Sequence, residues 1–173
     1  MSETKSPPIT FFWKGIFSQW HSSPFECKCI DGSLHKFDNA EQYMMYNKAC
    51  TFPGNEKIAQ RILSSSDPSH IKNLGRQVQN FTESGWKKMR MKVVIYGNYA
   101  KFTQNPTLKN ALLNTKNNIL AEASPYDTIW GIGMSSSDSS AKNPKQWKGS
   151  NLLGIALMKV RECILNNVEP SCP

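Results

Sequence analysis

The stretch Ala40-Glu-Gln-Tyr-Met-Met-Tyr-Asn-Lys-Ala49 combines apolar side chains with two opposite charges. Asp38 or Asn39 stands directly before it, and a short side-chain oxygen there can accept a hydrogen bond from the free amides of a first helical turn. We therefore predict a helix from Ala40 to about Cys50. Glu41 and Lys48 are seven residues apart, close to two helical turns, so both project from one face of this helix.

The Glu41 and Lys48 pair has two interpretations. A carboxylate and an amine on one helix face form a candidate site. The same two residues also fit surface charges at the two ends of a helix, where each complements the helix dipole. The spacing alone leaves both interpretations open.

On both sides of this helix, the pattern of apolar residues and turn signals predicts short strands and longer helices. Asp31-Gly32 suits the tight turn of a hairpin. Strands are predicted at Ile9–Trp13, Phe25–Ile30, Leu34–Phe37 and Asn118–Ala123. Further helices are predicted to begin after Asn55, Asp67, Thr82, Asn105 and Ser150. The predicted fold class is α+β, a single helix-rich domain with a few short strands over residues 9–166. Residues 1–8 are predicted as a disordered N-terminal tail, and residues 167–173 as a loose C-terminal tail.

Composition narrows the class of protein. The 173 residues are 39% hydrophobic and no apolar run approaches the ~20 residues of a membrane span. The N-terminus is polar, which argues against a signal peptide. Five irregularly spaced cysteines and three histidines form no recognisable disulfide or metal pattern. We expect an intracellular protein, cytoplasmic or nuclear, with no membrane partner, metal or other cofactor; its oligomeric state stays open.

The net charge of +8 is unevenly distributed. No acidic residue occurs from Ser84 to Ala121, whereas seven lysines and arginines do. Such a field attracts phosphate-bearing partners. We expect this stretch to border the site, although a solvated helix face also explains it.

Two further groups of residues are candidates for ligand contact. The segment 122–133 carries Asp127, Trp130 and Gly131, and it suits either a ligand loop or a structural turn around a buried Trp. Outside that segment, aromatic and basic residues stand at Trp20, Trp86, Arg90 and Lys101. No P-loop, nucleophile elbow or Cys–His pairing is present. The chemistry that remains is a carboxylate beside an oxocarbenium-like carbon, or a lysine that forms a Schiff base.

Taken in order, fragments of the chain resemble the NADAR family, also called YbiA-like proteins. The fragments are Phe17-Ser18, Ala40 to Met44, Lys48-Ala49, Leu74-Gly75-Arg76, Trp86, Arg90, Ala100-Lys101-Phe102, Leu120 to Glu122, Asp127, Trp130-Gly131, Asn151 to Gly154 and Leu157 to Arg161. Together they cover about Thr10 to Leu165.

The resemblance implies an enzyme that hydrolyses an N-glycosidic bond. Implied substrates are ADP-ribosylated guanine in DNA, which we favour, and phosphorylated intermediates of the riboflavin pathway. A non-catalytic reader of ADP-ribose or nucleic acid is the alternative of another class. The resemblance implies Glu41, Lys48 and Asp127 as catalytic residues, with either Lys48 or Lys101 as the reactive amine. It implies substrate contacts from Ser18, Trp20, Arg76, Trp86, Arg90, Lys101, Trp130 and Gly131.

Overall fold

The computed structural model describes residues 7–173, and this part of the chain forms six α-helices, two short 3-10 helices and four strands. The strands are β1 (Ile9–Phe12), β2 (Phe25–Lys28), β3 (Leu34–Phe37) and β4 (Ile119–Glu122). The α-helices are α1 (Ala40–Thr51), α2 (Glu56–Leu63), α3 (Pro68–Arg76), α4 (Glu83–Gln104), α5 (Pro106–Asn114) and α6 (Leu152–Leu165). The 3-10 helices span Ser139–Lys142 and Pro144–Gln146. The α+β, helix-rich single domain is confirmed.

The four strands form two separate pairs. β2 and β3 pair antiparallel across the Asp31-Gly32 turn, where Gly32 has a φ of +83°, as the hairpin prediction requires. β1 and β4 pair parallel, and Phe12 stands opposite Glu122. This parallel pair brings the loop that follows β1 beside the loop that follows β4.

Helix α1 is the centre of the core. It begins as predicted, because the Asn39 side chain accepts a hydrogen bond from the Gln42 backbone N–H at 2.9 Å. Glycines allow two other helices to approach it closely: a Cβ at Gly75 of α3 would collide with the Met45 side chain, and one at Gly97 of α4 with the Tyr43 ring. The close packing fixes α3 and α4 around the helix that carries Glu41 and Lys48.

Helix α2 begins directly after Asn55, as predicted, but without a side-chain cap. Asn55 stands at the cap position, but its side chain makes no cap hydrogen bond. The side chain is buried and instead bonds to backbone groups of Phe52 and Gln79. The predicted starts at Asp67 and Thr82 are confirmed, since each side chain accepts from an amide of the first helical turn.

The predicted tails stay predictions. Residues 1–6 lie outside the described residues, and Pro8 already joins the fold because its carbonyl accepts from Ile119 N–H at 2.9 Å. Residues 167–173 contain no helix or strand, and the Glu169 carboxylate accepts from the Tyr96 hydroxyl at 3.3 Å. No helix of residues 7–173 combines the length and apolar character that crossing a membrane requires.

Candidate active site

A cavity of about 1050 Å³ opens between α1, α3, the start of α4 and the loops that follow β1 and β4. Its volume lies just above the ~300–1,000 Å³ typical of small-molecule sites. The cavity brings together nine of the eleven site residues predicted from the sequence: Ser18, Trp20, Glu41, Lys48, Arg76, Trp86, Arg90, Asp127 and Trp130. These residues come from five separate segments, so the fold assembles the site.

Glu41 occupies the first turn of α1 at the wall of this cavity, and its side chain is buried. Burial raises the pKa of its carboxyl to about 7. The positive charge of Lys72 opposes this increase in pKa, and the negative charge of Asp127 adds to it. A carboxyl with a pKa near 7 can hold or release a proton at neutral pH, as acid–base chemistry requires.

Lys48 stands in the last turn of α1 and is half-buried. Its ammonium donates a hydrogen bond to the Gly75 carbonyl at 2.8 Å and lies 4.5 Å from the centre of the Phe81 ring. Burial lowers the pKa of the Lys48 amine, against the opposing charges of Glu83 and Glu41. A lowered pKa enlarges the neutral fraction that can act as a nucleophile.

Asp127 organises the loop after β4. One of its carboxylate oxygens accepts from the backbone N–H groups of Ile129 at 2.9 Å and Trp130 at 2.8 Å. This Asx-type turn presents the Trp130 ring to the cavity. Asp127 therefore has a local structural role here, and its catalytic role stays a prediction.

Aromatic side chains provide flat walls for the cavity. Trp86 is buried, Trp130 is half-buried and Trp20 is exposed, with the Lys72 ammonium 5.9 Å from the Trp20 ring centre. Ser18 holds the Trp20 backbone, because its hydroxyl accepts from Trp20 N–H at 3.2 Å.

The basic residues of the cavity come mostly from outside the acid-free stretch 84–121. Of the seven basic residues in that stretch, only Arg90 lines the cavity, and it forms an ion pair with Glu83 at 3.4 Å. The other basic residues of the lining are Lys14, Lys48, Lys72 and Arg76. The acid-free stretch borders the cavity through Trp86 and Arg90: α4 contributes only its first turns to the cavity, and its remainder packs on α1 and α6.

Two predicted substrate contacts lie outside the cavity lining. Lys101 is completely buried, and its amine donates to the Ser18 carbonyl at 2.9 Å, behind the loop that follows β1. Gly131 packs against backbone, since a Cβ there would lie 2.9 Å from the carbonyl oxygens of both Asp127 and Glu122. Lys101 therefore holds the loop and Gly131 permits a close turn. Of the two lysines proposed as the reactive amine, only Lys48 reaches the cavity.

Sequence reasoning missed several cavity residues: Trp13, Lys72, Glu122 and Tyr126. Glu122 ends β4, and burial raises the pKa of its carboxyl to about 7, with Asp127 and Glu41 raising it further. The sequence contains a signal for Glu122 as a site residue, because it is a carboxylate at the end of a predicted strand, directly before the loop that carries Asp127.

The position of Lys101 predicts a pH-dependent stability. Burial lowers the pKa of its amine from 10.5 to about 7, so the unfolded chain binds more protons than the folded one between these pH values. The free energy of unfolding should therefore rise from pH 7 to pH 9, by at most about 1.4 kcal/mol per pH unit. Urea unfolding at pH 7, 8 and 9 should show this rise in the wild type and its loss in Lys101→Met. An equal slope in both proteins would contradict the burial of this amine.

The geometry defines a class: a single-domain α+β protein with buried carboxyls, a half-buried lysine and aromatic walls in one cavity. The NADAR domain model matches residues 11–165, and the chain belongs to the NADAR family.

Relatives of this chain agree with that assignment. The chain is 42% identical to N-glycosidase R617 of Acanthamoeba polyphaga mimivirus, over 85% of this chain and 86% of the relative. It is 28% identical to the riboflavin biosynthesis protein PYRR of Zea mays, over 91% of this chain and 24% of that protein. The solved structure of Escherichia coli YbiA matches with a TM-score of 0.72 and 27% identity, over 95% of this chain and 89% of YbiA. The family is therefore that of YbiA-like N-glycosidases.

Proposed function

We propose that this protein is an N-glycosidase that removes ADP-ribose from ADP-ribosylated guanine in DNA. The observation that carries the proposal is the buried Glu41 carboxyl, with its raised pKa, inside a cavity walled by aromatic and basic side chains. The names of R617 and YbiA support the reaction class.

Cleavage of an N-glycosidic bond leaves positive charge on C1 of the ribose. An ionised carboxylate beside C1 stabilises this charge, and a protonated carboxyl can supply the proton that the departing base needs. In this proposal Glu41 acts at C1. Arg76 and Arg90 bind the phosphates, because guanidinium groups pair with phosphate oxygens.

Lys48 would form the covalent intermediate. As the C1–N bond breaks, its bonding electrons go to the base nitrogen, which takes a proton. The neutral Lys48 amine then bonds to the cationic C1 and loses a proton. The C1–O bond of the ribose ring breaks, the ring oxygen takes a proton, and the opened sugar is held as an imine on Lys48. Water adds to C1, the C–N bond to Lys48 breaks, and the amine returns with free ADP-ribose.

An exposed aromatic ledge at the mouth of the cavity supports a polymeric substrate. Trp13 is 45% exposed and Tyr126 86% exposed, and their ring centres are 6.1 Å apart. The Lys14 ammonium lies 5.9 Å from the Trp13 ring. Rings with a neighbouring cation bind single-stranded nucleic acid by stacking on its bases, while the cation attracts phosphate.

The ledge gives a prediction for the variant Trp13→Ala/Tyr126→Ala. KM for an ADP-ribosylated oligonucleotide should rise about 10-fold or more, because stacking contributes ~1–3 kcal/mol per base. KM for ADP-ribosylated guanosine should stay within about twofold, because the nucleoside has no flanking bases. Steady-state kinetics on both substrates measures this difference; an equal change in both KM values would contradict a role in strand binding.

A phosphorylated intermediate of riboflavin biosynthesis is the second candidate substrate. The observation that favours it is the match of PYRR over 91% of this chain. Both candidates place a ribose phosphate and a base in the cavity, so the geometry of the reaction is common to them.

The two substrates are distinguished by kcat/KM measured on each under the same conditions. We expect a larger kcat/KM for ADP-ribosylated guanine DNA. A larger value for the riboflavin intermediate would overturn the substrate assignment and keep the N-glycosidase reaction. Binding of both without release of a base would favour a non-catalytic reader.

A further inference from the structure

Glu122 is held rigidly at the wall of the cavity. It is the last residue of β4; its N–H donates to the Asn151 side chain at 3.0 Å, and its carbonyl accepts from Ile132 N–H at 2.8 Å. Because the backbone is bonded on both sides, the side chain projects from a fixed point. It lines the cavity together with Glu41 and Asp127.

One oxygen of this carboxyl is buried without a partner. Glu122 Oε2 has no hydrogen-bond partner among residues 7–173. A buried ionised oxygen that no donor reaches is costly, whereas a protonated carboxyl avoids most of this cost. The position therefore favours a carboxyl O–H that is free to donate to a ligand.

The surroundings of Glu41 and Glu122 differ in the charge they provide. The ionised form of Glu41 is favoured by Lys72, by the Trp20 side chain and by Lys48. The ionised form of Glu122 is favoured by Lys72 alone, and the charges of Asp127 and Glu41 oppose it. Two carboxyls in one cavity do not ionise together easily, and the unpartnered Oε2 makes Glu122 the better position for the proton.

We propose that Glu122 is the general acid of the reaction, which donates its proton to the leaving base while the Glu41 carboxylate stabilises C1. The C1–N bonding electrons go to the base nitrogen, that nitrogen takes the Glu122 proton, and Glu122 becomes a carboxylate. The water that later adds to C1 gives up a proton, which restores the acid. This inference rests on the proposed N-glycosidase function and adds a second carboxyl to it.

The test compares Glu122→Gln with wild type on two leaving groups. The first substrate is ADP-ribosylated guanine DNA, and the second carries 4-nitrophenol at C1 of ADP-ribose, a group that departs without a proton. Gln keeps the shape of Glu but has no carboxyl proton to transfer. We expect kcat to fall about 100-fold or more on the guanine substrate, the scale of general acid catalysis, and less than about 10-fold on the nitrophenyl substrate. Glu162→Gln, on the exposed side of α6, is the matched control and should leave both rates unchanged.

Three results would overturn the role of Glu122. The first is a Glu122→Gln rate on the guanine substrate within twofold of wild type, and the second is an equal loss on both leaving groups. The third comes from kcat on the guanine substrate measured from about pH 6 to 9: Glu122→Gln keeps the fall in rate at alkaline pH that wild type shows. The second would assign Glu122 to positioning alone.

A second measurement separates this inference from the proposed function. The method is NMR of protein labelled with ¹³C at the glutamate carboxyls, in which the Glu122 signal is the one that Glu122→Gln removes. At pH 6.5 this signal should be that of a protonated carboxyl, both in wild type and in Glu41→Gln. An ionised Glu122 signal at that pH would contradict the inference. A wild-type protein that releases no base, with Glu122 protonated, would instead contradict the proposed function.

Discussion

Glu41→Gln should lower kcat by about 1,000-fold while the protein stays folded. The amide keeps the size of the side chain but provides neither negative charge at C1 nor a titratable proton, and such groups contribute about 10²–10⁴-fold to rate. Because burial raises the pKa of Glu41 to about 7, its stabilising effect is present below the ordinary pKa of 4.5 and is lost as pH rises through 7. Above pH 7 the variant should therefore be at least as stable as wild type.

Base release, measured by chromatography of the reaction products, gives kcat for the variant. Glu162→Gln is again the matched control, since it changes an exposed glutamate away from the cavity. Thermal unfolding of all three proteins shows whether they are folded. Full turnover by folded Glu41→Gln would contradict the role of this carboxylate.

Lys48→Arg should abolish the covalent intermediate and lower kcat by about 100-fold or more. Arginine keeps the positive charge and can still donate to the Gly75 carbonyl, but a guanidinium forms no Schiff base under these conditions. The variant therefore separates the nucleophilic role of Lys48 from its structural contact with α3.

Borohydride reduction during turnover followed by peptide mass spectrometry detects the intermediate. Wild type should carry a reduced adduct of ribose on Lys48, and Lys48→Arg should carry none. Lys88→Arg, an exposed position on α4, should keep the adduct. Full activity of Lys48→Arg, or an adduct on another lysine, would show that Lys48 only holds the end of α3.

The fold could be predicted from the sequence to the extent that its signals are local. Asn39, Asp67 and Thr82 each cap a helix through a side chain that bonds within its own first turn, so a few residues decide the outcome. Helix α2 begins after Asn55 without such a cap, because the Asn55 side chain bonds to the backbone of Phe52 and of Gln79, which is 24 residues away in sequence. The pairing of β1 with β4 is likewise a long-range contact that no local pattern reveals.

The site residues, too, could be predicted where the signal is local and could not where it depends on tertiary packing. Glu41 and Lys48 are seven residues apart, so their spacing predicts one shared helix face, and both line the cavity. The spacing alone leaves open whether they form a site. Lys101 has the residue type of a phosphate contact, but its burial under the loop that carries Ser18 depends on tertiary packing. Glu122 stands at the end of a predicted strand, but its raised pKa comes from burial beside Asp127 and Glu41, which depends on tertiary packing.

The N-glycosidase reaction is tested by the identity of the products from ADP-ribosylated guanine DNA, determined by mass spectrometry. Hydrolysis at C1 predicts intact ADP-ribose and DNA with unmodified guanine, both absent with Glu41→Gln. Cleavage elsewhere, such as AMP together with phosphoribosyl-guanine DNA, would contradict an N-glycosidase reaction.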